Sequence, residues 1–349
     1  MRLAVLGLTL QLALTGLFAG SPAQATEAAK GKTTPVTASF DCGHASSPRE
    51  HLICSDPELS ALDGQLGKTY QEKRALLSPK GAELLKSSQR SWLRYISTVC
   101  APEGPDAPSR AESKTCLKDE YTDRLEDLQG VAKRVGPYLF NRVDLYAVEP
   151  SGDNTGSKTG FSVQHVSYPQ IDNADSPELV AWNQQNVRSL SSADDCDDSS
   201  IDCEINYELG IATPHLISVE WTHSTYFHGN AHGSWDVTIE NTAITAPLRP
   251  LTESDIFGPG TAWVKPLKER LWRKLLESGW RPPENQSEDD IKSQLEDEFV
   301  NPDKWFFTNE GLRISFTAYE GGCYACTPQP ITLSWAELKP LLSAQSIAP

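Results

Sequence analysis

Three groups of residues have types and spacings that could do chemistry. His223, His228 and His232 recur at intervals of five and four, close in sequence to Asp236, a set that could be arranged around zinc. Two of them fall within Tyr226-Phe227-His228-Gly229-Asn230-Ala231-His232-Gly233, where glycines mark a turn rather than one helix face. The expected role is therefore a hydrogen-bonded structural histidine, with no metal. Cys323-Tyr324-Ala325-Cys326 has redox spacing, but it follows Gly321-Gly322 and precedes Thr327-Pro328. That is a loop and not the strand-to-helix start that lowers a thiol pKa, so a structural cystine is expected. The acidic run Asp194 to Glu204 lacks the glycine and terminal glutamate of a twelve-residue calcium loop, and reads as a solvated acidic loop. With no serine elbow, phosphate loop or His-Glu-x-x-His, no catalytic set emerges, no cofactor is implied, and the chain is not read as an enzyme.

The elements that must hold such residues come from an exported, disulfide-bearing chain. Met1-Arg2, the apolar stretch Leu3 to Gly20 and the small-residue ending Pro22-Ala23-Gln24-Ala25 read as a signal peptide over residues 1–25, with an uncleaved anchor helix as the alternative. After it no apolar run approaches about 18 residues, so no membrane span is expected after cleavage, and the protein is placed in the periplasm or outside the cell. Eight cysteines, at positions 42, 54, 100, 116, 196, 203, 323 and 326, then suggest disulfides. Several connectivities stay open; the one favoured joins Cys42 to Cys54, Cys100 to Cys116, Cys196 to Cys203 and Cys323 to Cys326. In the chain-entropy model a loop of about 15 residues closed this way is worth about 3 kcal/mol.

With 38% hydrophobic and 22% charged residues, the 349-residue chain is globular material, which excludes a coiled coil, a collagen or a disordered tail. Charge is unevenly spread: residues 26–135 hold 16 acids and 16 bases, whereas residues 136–349 hold 31 acids and 14 bases. A nucleic-acid partner, which needs a basic face, is excluded on this ground.

The first half reads as helical. Ser47-Pro48-Arg49-Glu50 is a capping box in which Glu50 serves as a cap, and Asp56-Pro57-Glu58 repeats the device. Leu59, Leu62, Leu66, Tyr70 and Lys73 follow at helical spacing, and after Ser78-Pro79 so do Leu85, Ser88, Trp92, Ile96 and Val99. Pro102 to Pro108 mark a loop before a last helix carrying Leu117, Tyr121, Arg124, Leu125 and Leu128, which gives a small disulfide-stapled helical hairpin bundle. Trp92, Tyr70 and Leu62 are read as core. Asp63, Gln89, Arg90 and Arg124 stand on otherwise apolar stripes; we read them as a buried hydrogen-bonded network in which Asp63 could supply the carboxylate Arg124 needs, against a recognition surface as the alternative.

Phe40-Asp41-Cys42, the Ser47/Glu50 box, Ile53-Cys54, Leu59-x-x-Leu62-Asp63, Tyr70, Gln89-Arg90-x-Trp92-Leu93, Cys100, Cys116-Leu117, Tyr121, Arg124 and Leu128 together resemble the LprI-type lysozyme inhibitor domain, over residues 40 to about 130. The resemblance implies a helical periplasmic or secreted domain, with lysozyme inhibition as the associated activity.

In the second half the period changes. Ile217, Val219, Trp221 and His223 alternate, as do Trp235, Val237 and Ile239, the pattern of half-buried antiparallel strands. Trp263, Leu267, Leu271 and Leu275 form a helical stripe, residues 287–299 a second, and Asn309-Glu310-Gly311 a turn between short strands. The fold class is multidomain, α followed by α+β, the second part an antiparallel sheet with helices on one face. Its boundaries are a linker over 26–39, a helical domain over 40–135, a connecting strand and loop over 136–160, and an α+β domain over 161–345. The aromatic strand entering Gly229-Asn230-Ala231-His232-Gly233, Leu251-Thr252-x-x-Asp255-Ile256-Phe257, Phe306-Phe307-Thr308-x-x-Gly311-Leu312 and Ile331-Thr332-Leu333-x-Trp335-x-x-Leu338 resemble the RsiV-type carboxyl-terminal domain over about 160–342. That resemblance implies a lysozyme-sensing extracytoplasmic domain, although the membrane span and sigma-binding segment of RsiV are lacking. Both halves thus point to lysozyme or a similar cationic muramidase as partner; the alternatives are a peptidoglycan-binding or structural envelope protein without inhibitor activity and, below that, a peptidoglycan-modifying enzyme. An acidic face would speed capture of so basic a protein. Asp197, Asp198, Tyr226, Phe227 and His228 are the candidate contacts, and Gly229 and His232 belong to the family-like motif.

Overall fold

Four amino-terminal helices begin where a short polar side chain caps the chain. Ser47, Asp56 and Ser78 each accept a hydrogen bond from the backbone of the first turn, and each is followed by proline, giving α1 (Pro48–Cys54), α2 (Pro57–Arg74) and α3 (Pro79–Val99). A Ser109/Glu112 capping box starts α4 (Arg110–Asp127). The structure, a computed structural model, describes residues 37–104, 108–151, 157, 160–188, 199–284 and 286–348; the expected signal peptide lies outside them. Val36–Pro349 forms one compact unit. Ile53, Leu59, Leu66, Leu85, Trp92, Ile96, Leu117 and Tyr121 bury one apolar stripe from each helix in a common core. At about 1.5–3 kcal/mol for each large side chain, this burial and not helix propensity holds the helices together. Trp92 meets Tyr121 edge-on at 5.0 Å. Cys42–Cys54 and Cys100–Cys116 are disulfides.

The chain then builds a seven-stranded sheet in sequence order: β1 (Lys133–Val135), β2 (Tyr138–Pro150), β3 (Phe161–Ile171), β4 (Ile201–Ala212), β5 (Leu216–Phe227), β6 (Ser234–Ala243) and β7 (Arg249–Pro250). All neighbours are antiparallel except β3 and β4, which run parallel. A parallel pair needs a crossover, and α5 (Pro177–Gln185) lies within it, burying Leu179 and Trp182 against Phe140, Ile171 and Val166. The fold is α+β with an antiparallel-rich sheet; the parallel pair and its crossover helix are additions to the expected pattern.

A smaller sheet of β8 (Phe306–Phe307), β9 (Gly311–Ile314) and β10 (Ile331–Ser334) packs with α6 (Glu253–Phe257), α7 (Val264–Glu277), α8 (Glu288–Glu298) and α9 (Trp335–Leu338). Trp263, Leu267, Leu271, Leu275, Phe299, Trp305 and Phe307 form its core.

Residues 201–204 are strand and not the end of an acidic loop, because Ile201, Cys203 and Ile205 alternate into the interior and leave Asp202 and Glu204 between them. Within the stretch expected as a connecting strand and loop, residues 138–150 form a strand of the sheet, and it is the place where the helices dock. β1 covers β2 only as far as Phe140, and α3 takes over the edge beyond: Ser88 Oγ accepts from Asp144 N at 2.9 Å, and Ser91 Oγ accepts from Tyr146 N at 3.0 Å. The serines interrupting the apolar stripe of α3 thus satisfy an otherwise open sheet edge.

Candidate binding cleft

Sheet register assembles the site. Tyr146, His165, Glu204, Ser224 and Trp235 pair in succession across β2, β3, β4, β5 and β6, so they form one row on one face. Tyr95 of α3 stacks on Tyr146 at 5.0 Å, and Tyr146 stacks on His165 at 4.1 Å, a column of three rings from helix to sheet. Glu120, Asp123 and Asp127 recur at intervals of three and four along α4, which places their carboxylates on one helix face. Tyr95 Oη donates to Glu120 at 2.6 Å.

Between α4 and this row opens a cleft of about 1090 Å³. Its lining carries six carboxylates, Glu120, Asp123, Glu126, Asp127, Asp202 and Glu204, against Arg142 and His165 as the basic groups. The far wall consists of Tyr226, Trp235 and Tyr324. Tyr324 sits in a 3₁₀ turn closed by the Cys323–Cys326 disulfide and stacks on His232 at 3.8 Å. Burial and the neighbouring charges of Asp119, Glu126 and Glu204 raise the Asp123 pKa. Burial likewise raises that of Glu120, against the Tyr95 hydrogen bond that favours its charged form.

Beneath the cleft lies a buried ionic network. Arg124 Nη1 bonds Asp144 at 2.6 Å, Arg142 Nε bonds the same carboxylate at 2.7 Å, and Arg142 reaches Asp127 at 2.9 Å. Burial disfavours the Asp144 carboxylate, but Arg142, Arg124 and His165 outweigh it and hold its pKa below the ordinary range. His165 lies 3.3 Å from Asp144 and 3.6 Å from Glu204. Burial pushes its pKa down, yet hydrogen bonds to Asp144 and Glu204 prevail and raise it to about 9. Asp127, Asp144 and His165 are also the grouping among the described residues with metal-like spacing, their ligand atoms lying within 4.8 Å of one another. Two guanidinium groups already occupy these carboxylates and the imidazole favours its cationic form, so the donor set suits an ion-pair network better than a dication.

The residues singled out from sequence are distributed as follows. Asp63 does not pair with Arg124: it accepts from Tyr121 Oη at 2.8 Å and from Ser39 N at 2.6 Å. Arg124 finds its carboxylate on β2 instead, and its Nε donates to Gln89 at 3.3 Å. Arg90 is exposed, and Trp92 is buried. Glu50 accepts from Ser46 N and Ser47 N, and these hydrogen bonds lower its pKa to about 2. Tyr226 lines the cleft and Phe227 is 48% exposed. The His228 side chain is only 1% exposed and bonds Asp202 and Ser151, each at 3.1 Å, which turns it inward and away from a partner. Gly229 has φ of +85° at the turn. Cys203 is disulfide-bonded and lies 3.2 Å from His223; Cys196, Asp197 and Asp198 lie outside the described residues.

Sequence reasoning missed Glu120, Asp123, Asp144, Tyr146 and His165. A signal was present: the acidic interval of three and four on α4, and Arg142 and Asp144 at alternate positions among Phe140, Val143 and Leu145.

Residues 42–128 match a family model described as lysozyme inhibitor LprI, and residues 254–336 match one described as a protein of unknown function, DUF3298. The RsiV-type label is not among these matches. Solved members of the DUF3298 family from Bacteroides fragilis and Pseudomonas aeruginosa align with TM-scores of 0.39 and 0.41, at 16% and 14% identity, covering 61% and 60% of this chain and 96% of each of theirs. Lipoprotein LprI of Mycobacterium tuberculosis and of Mycobacterium bovis are each 27% identical over 117 residues, 34% of this chain and 51% of theirs, so the chain spans about half the length of these curated relatives. The helical part that supplies one wall of the cleft is thus similar to a lysozyme inhibitor domain, and the carboxyl-terminal part to a domain of unassigned function.

Proposed function

We propose that this protein is an exported cell-envelope binder of lysozyme-type muramidases, in the periplasm or outside the cell, and that the acidic cleft is its capture surface. The observation carrying this reading is the excess of carboxylates over basic groups in a concave site with one wall from the LprI-like helices. A strongly basic partner would relieve the like-charge repulsion that adds to burial in raising the Asp123 pKa, and the exposed ring of Phe227, next to Tyr226 in sequence, adds apolar contact area. The carboxyl-terminal sequence motifs that resemble an RsiV-type domain would favour the same partner, while the family model matching there carries no assigned function. No helix among the described residues is long and apolar enough to cross a membrane.

The test is titration of the full chain against hen-type lysozyme, following binding and muramidase activity together, with Glu120→Gln/Asp123→Asn as the charge variant. Binding should weaken in 0.5 M salt and in the variant, by about 1 kcal/mol for the two charges. No binding at about 10 μM, some 7 kcal/mol on the affinity scale, would remove the proposal.

A second reading rests on Tyr226, Trp235 and Tyr324 beside the hydroxyls of Thr222 and Ser224, a combination suited to stacking and hydrogen bonding a saccharide. Sedimentation with insoluble peptidoglycan, compared between wild type and Trp235→Ala, separates it from the first.

A further inference from the structure

The carboxyl-terminal half is poor in bases, with 14 in residues 136–349, yet three of them meet in one hollow. Arg270, Arg273 and Lys274 of α7 face β10 and α9 across a cavity of about 280 Å³, whose floor includes Leu333. Their intervals of three and four place them on one helix face. Among the described residues neither Arg270 nor Arg273 has an ion-pair partner, although this half of the chain offers carboxylates in excess. Arg270 Nη1 is shielded from solvent and has no hydrogen-bond acceptor. A guanidinium nitrogen enclosed without an acceptor is costly, and it points to an anion that completes it.

The two carboxylates nearby do not fill this role. Glu337 accepts from Ser334 N and Ser334 Oγ and pairs with Lys274 at 2.9 Å, and those bonds, led by the Ser334 hydroxyl, lower its pKa to about 2. Glu277 lines the hollow without an ion pair to either arginine. Three cations against two carboxylates leave the hollow cationic on an otherwise acidic half, so an anion reaching it is held by local geometry and not by the general field.

We propose that this hollow between α7, β10 and α9 is a phosphate-binding site, in which the Arg270 and Arg273 guanidinium groups grip the oxygens of a phosphate or phosphate ester. Tetrahedral oxygens suit two guanidinium forks three residues apart, with Lys274 as a further cation, and the volume leaves room for a short polyol or lipid headgroup on the phosphate. The site is separate from the acidic cleft and does not depend on the muramidase reading.

The experiment uses the full chain with inorganic phosphate, glycerol 3-phosphate and vesicles containing phosphatidylglycerol, read by 31P linewidth, thermal melting and co-sedimentation. Phosphate should raise the melting temperature above that in chloride of equal ionic strength. Arg270→Met, which keeps the stem and removes the fork, should weaken binding about tenfold or more while melting no lower than wild type without phosphate. Arg273→Gln gives the same reading should Arg270→Met fold poorly. Binding of the two soluble probes assigns a free phosphate, and binding of vesicles alone assigns a lipid headgroup; either supports the site. Failure of all three probes, or wild-type binding by both variants, overturns it.

Discussion

Replacing His165 by Gln should abolish a specific slope in the pH dependence of stability. The imidazole stacks on Tyr146, faces Asp144 of β2 and Glu204 of β4, and has Asp127, Arg124 and Arg142 behind those carboxylates. Its pKa rises from 6.5 to about 9 on folding, the Asp144 and Glu204 hydrogen bonds outweighing burial. Below the unfolded pKa both states hold the proton and the stabilisation is fully present. Between 6.5 and 9 the folded protein binds a proton that the unfolded chain does not, so stability falls as pH rises, and above 9 the contribution is gone. At about 1.4 kcal/mol per unit the loss is about 3 kcal/mol, with little discount for solvent because the side chain is only 15% exposed. The pKa values of Asp144 and Glu204 are lowered, away from this window, and that of Tyr146 is raised by burial; Asp127, raised by burial and by the Asp144 charge, is the carboxylate that moves toward it, and the wild-type minus His165→Gln difference isolates the imidazole from it. Urea unfolding at pH 6, 7, 8 and 9 for wild type and His165→Gln, which keeps a donor toward Asp144, measures the difference. Free-energy lines that run parallel from pH 6 to 9 would refute the assignment of a proton to His165.

The network makes two further predictions. Arg124→Met should destabilise by about 3–5 kcal/mol in urea unfolding, because it leaves the fully buried Asp144 with Arg142 and His165 alone, and adding Asp144→Asn to that variant should recover part of the loss. Ser88→Ala should cost about 1–3 kcal/mol by leaving the Asp144 backbone N–H without its acceptor, and should speed amide exchange at Asp144 relative to the β4–β5 core.

The helical half was legible because its signals are local. Ser47-Pro48, Asp56-Pro57 and Ser78-Pro79 each start a helix within a few residues, and Trp92 and Tyr121 fall on stripes any periodicity count finds. The β5–β6 pair was legible for the same reason: Trp221 and Trp235 alternate with polar neighbours inside single segments. β3 was not, because it mixes buried polar residues such as Ser162, Ser167 and Gln170 with apolar ones; β4 does alternate from Ile201 to Ile205, but it follows directly on the acidic run, and the parallel pairing of the two strands is set by a crossover and not by a turn. The cleft was least legible of all. Tyr95, Glu120, Tyr146, His165 and Trp235 span 140 positions and become neighbours only through sheet register and helix docking.

The misassigned partner of Arg124 shows why the LprI-like segment does not end its chemistry at its own last residue. Asp63 was the carboxylate sequence reasoning chose inside the helical stretch, but Tyr121 and the Ser39 amide hold it; Arg124 has Asp127 of its own helix at 3.6 Å and a closer partner, Asp144 of β2 at 2.6 Å, beyond the matched residues 42–128. Ser88 and Ser91 make the same statement from α3, since their hydroxyls face backbone groups of Asp144 and Tyr146. Cut from the sheet, these helices would leave Arg124 with only Asp127 and Gln89, and would expose Ser88, Ser91 and one wall of the cleft. Of the cleft carboxylates on α4, Asp127 is held by Arg142 of β2 and Glu120 by Tyr95, which is itself stacked on Tyr146 of β2, so both parts of the chain set the shape of the cleft.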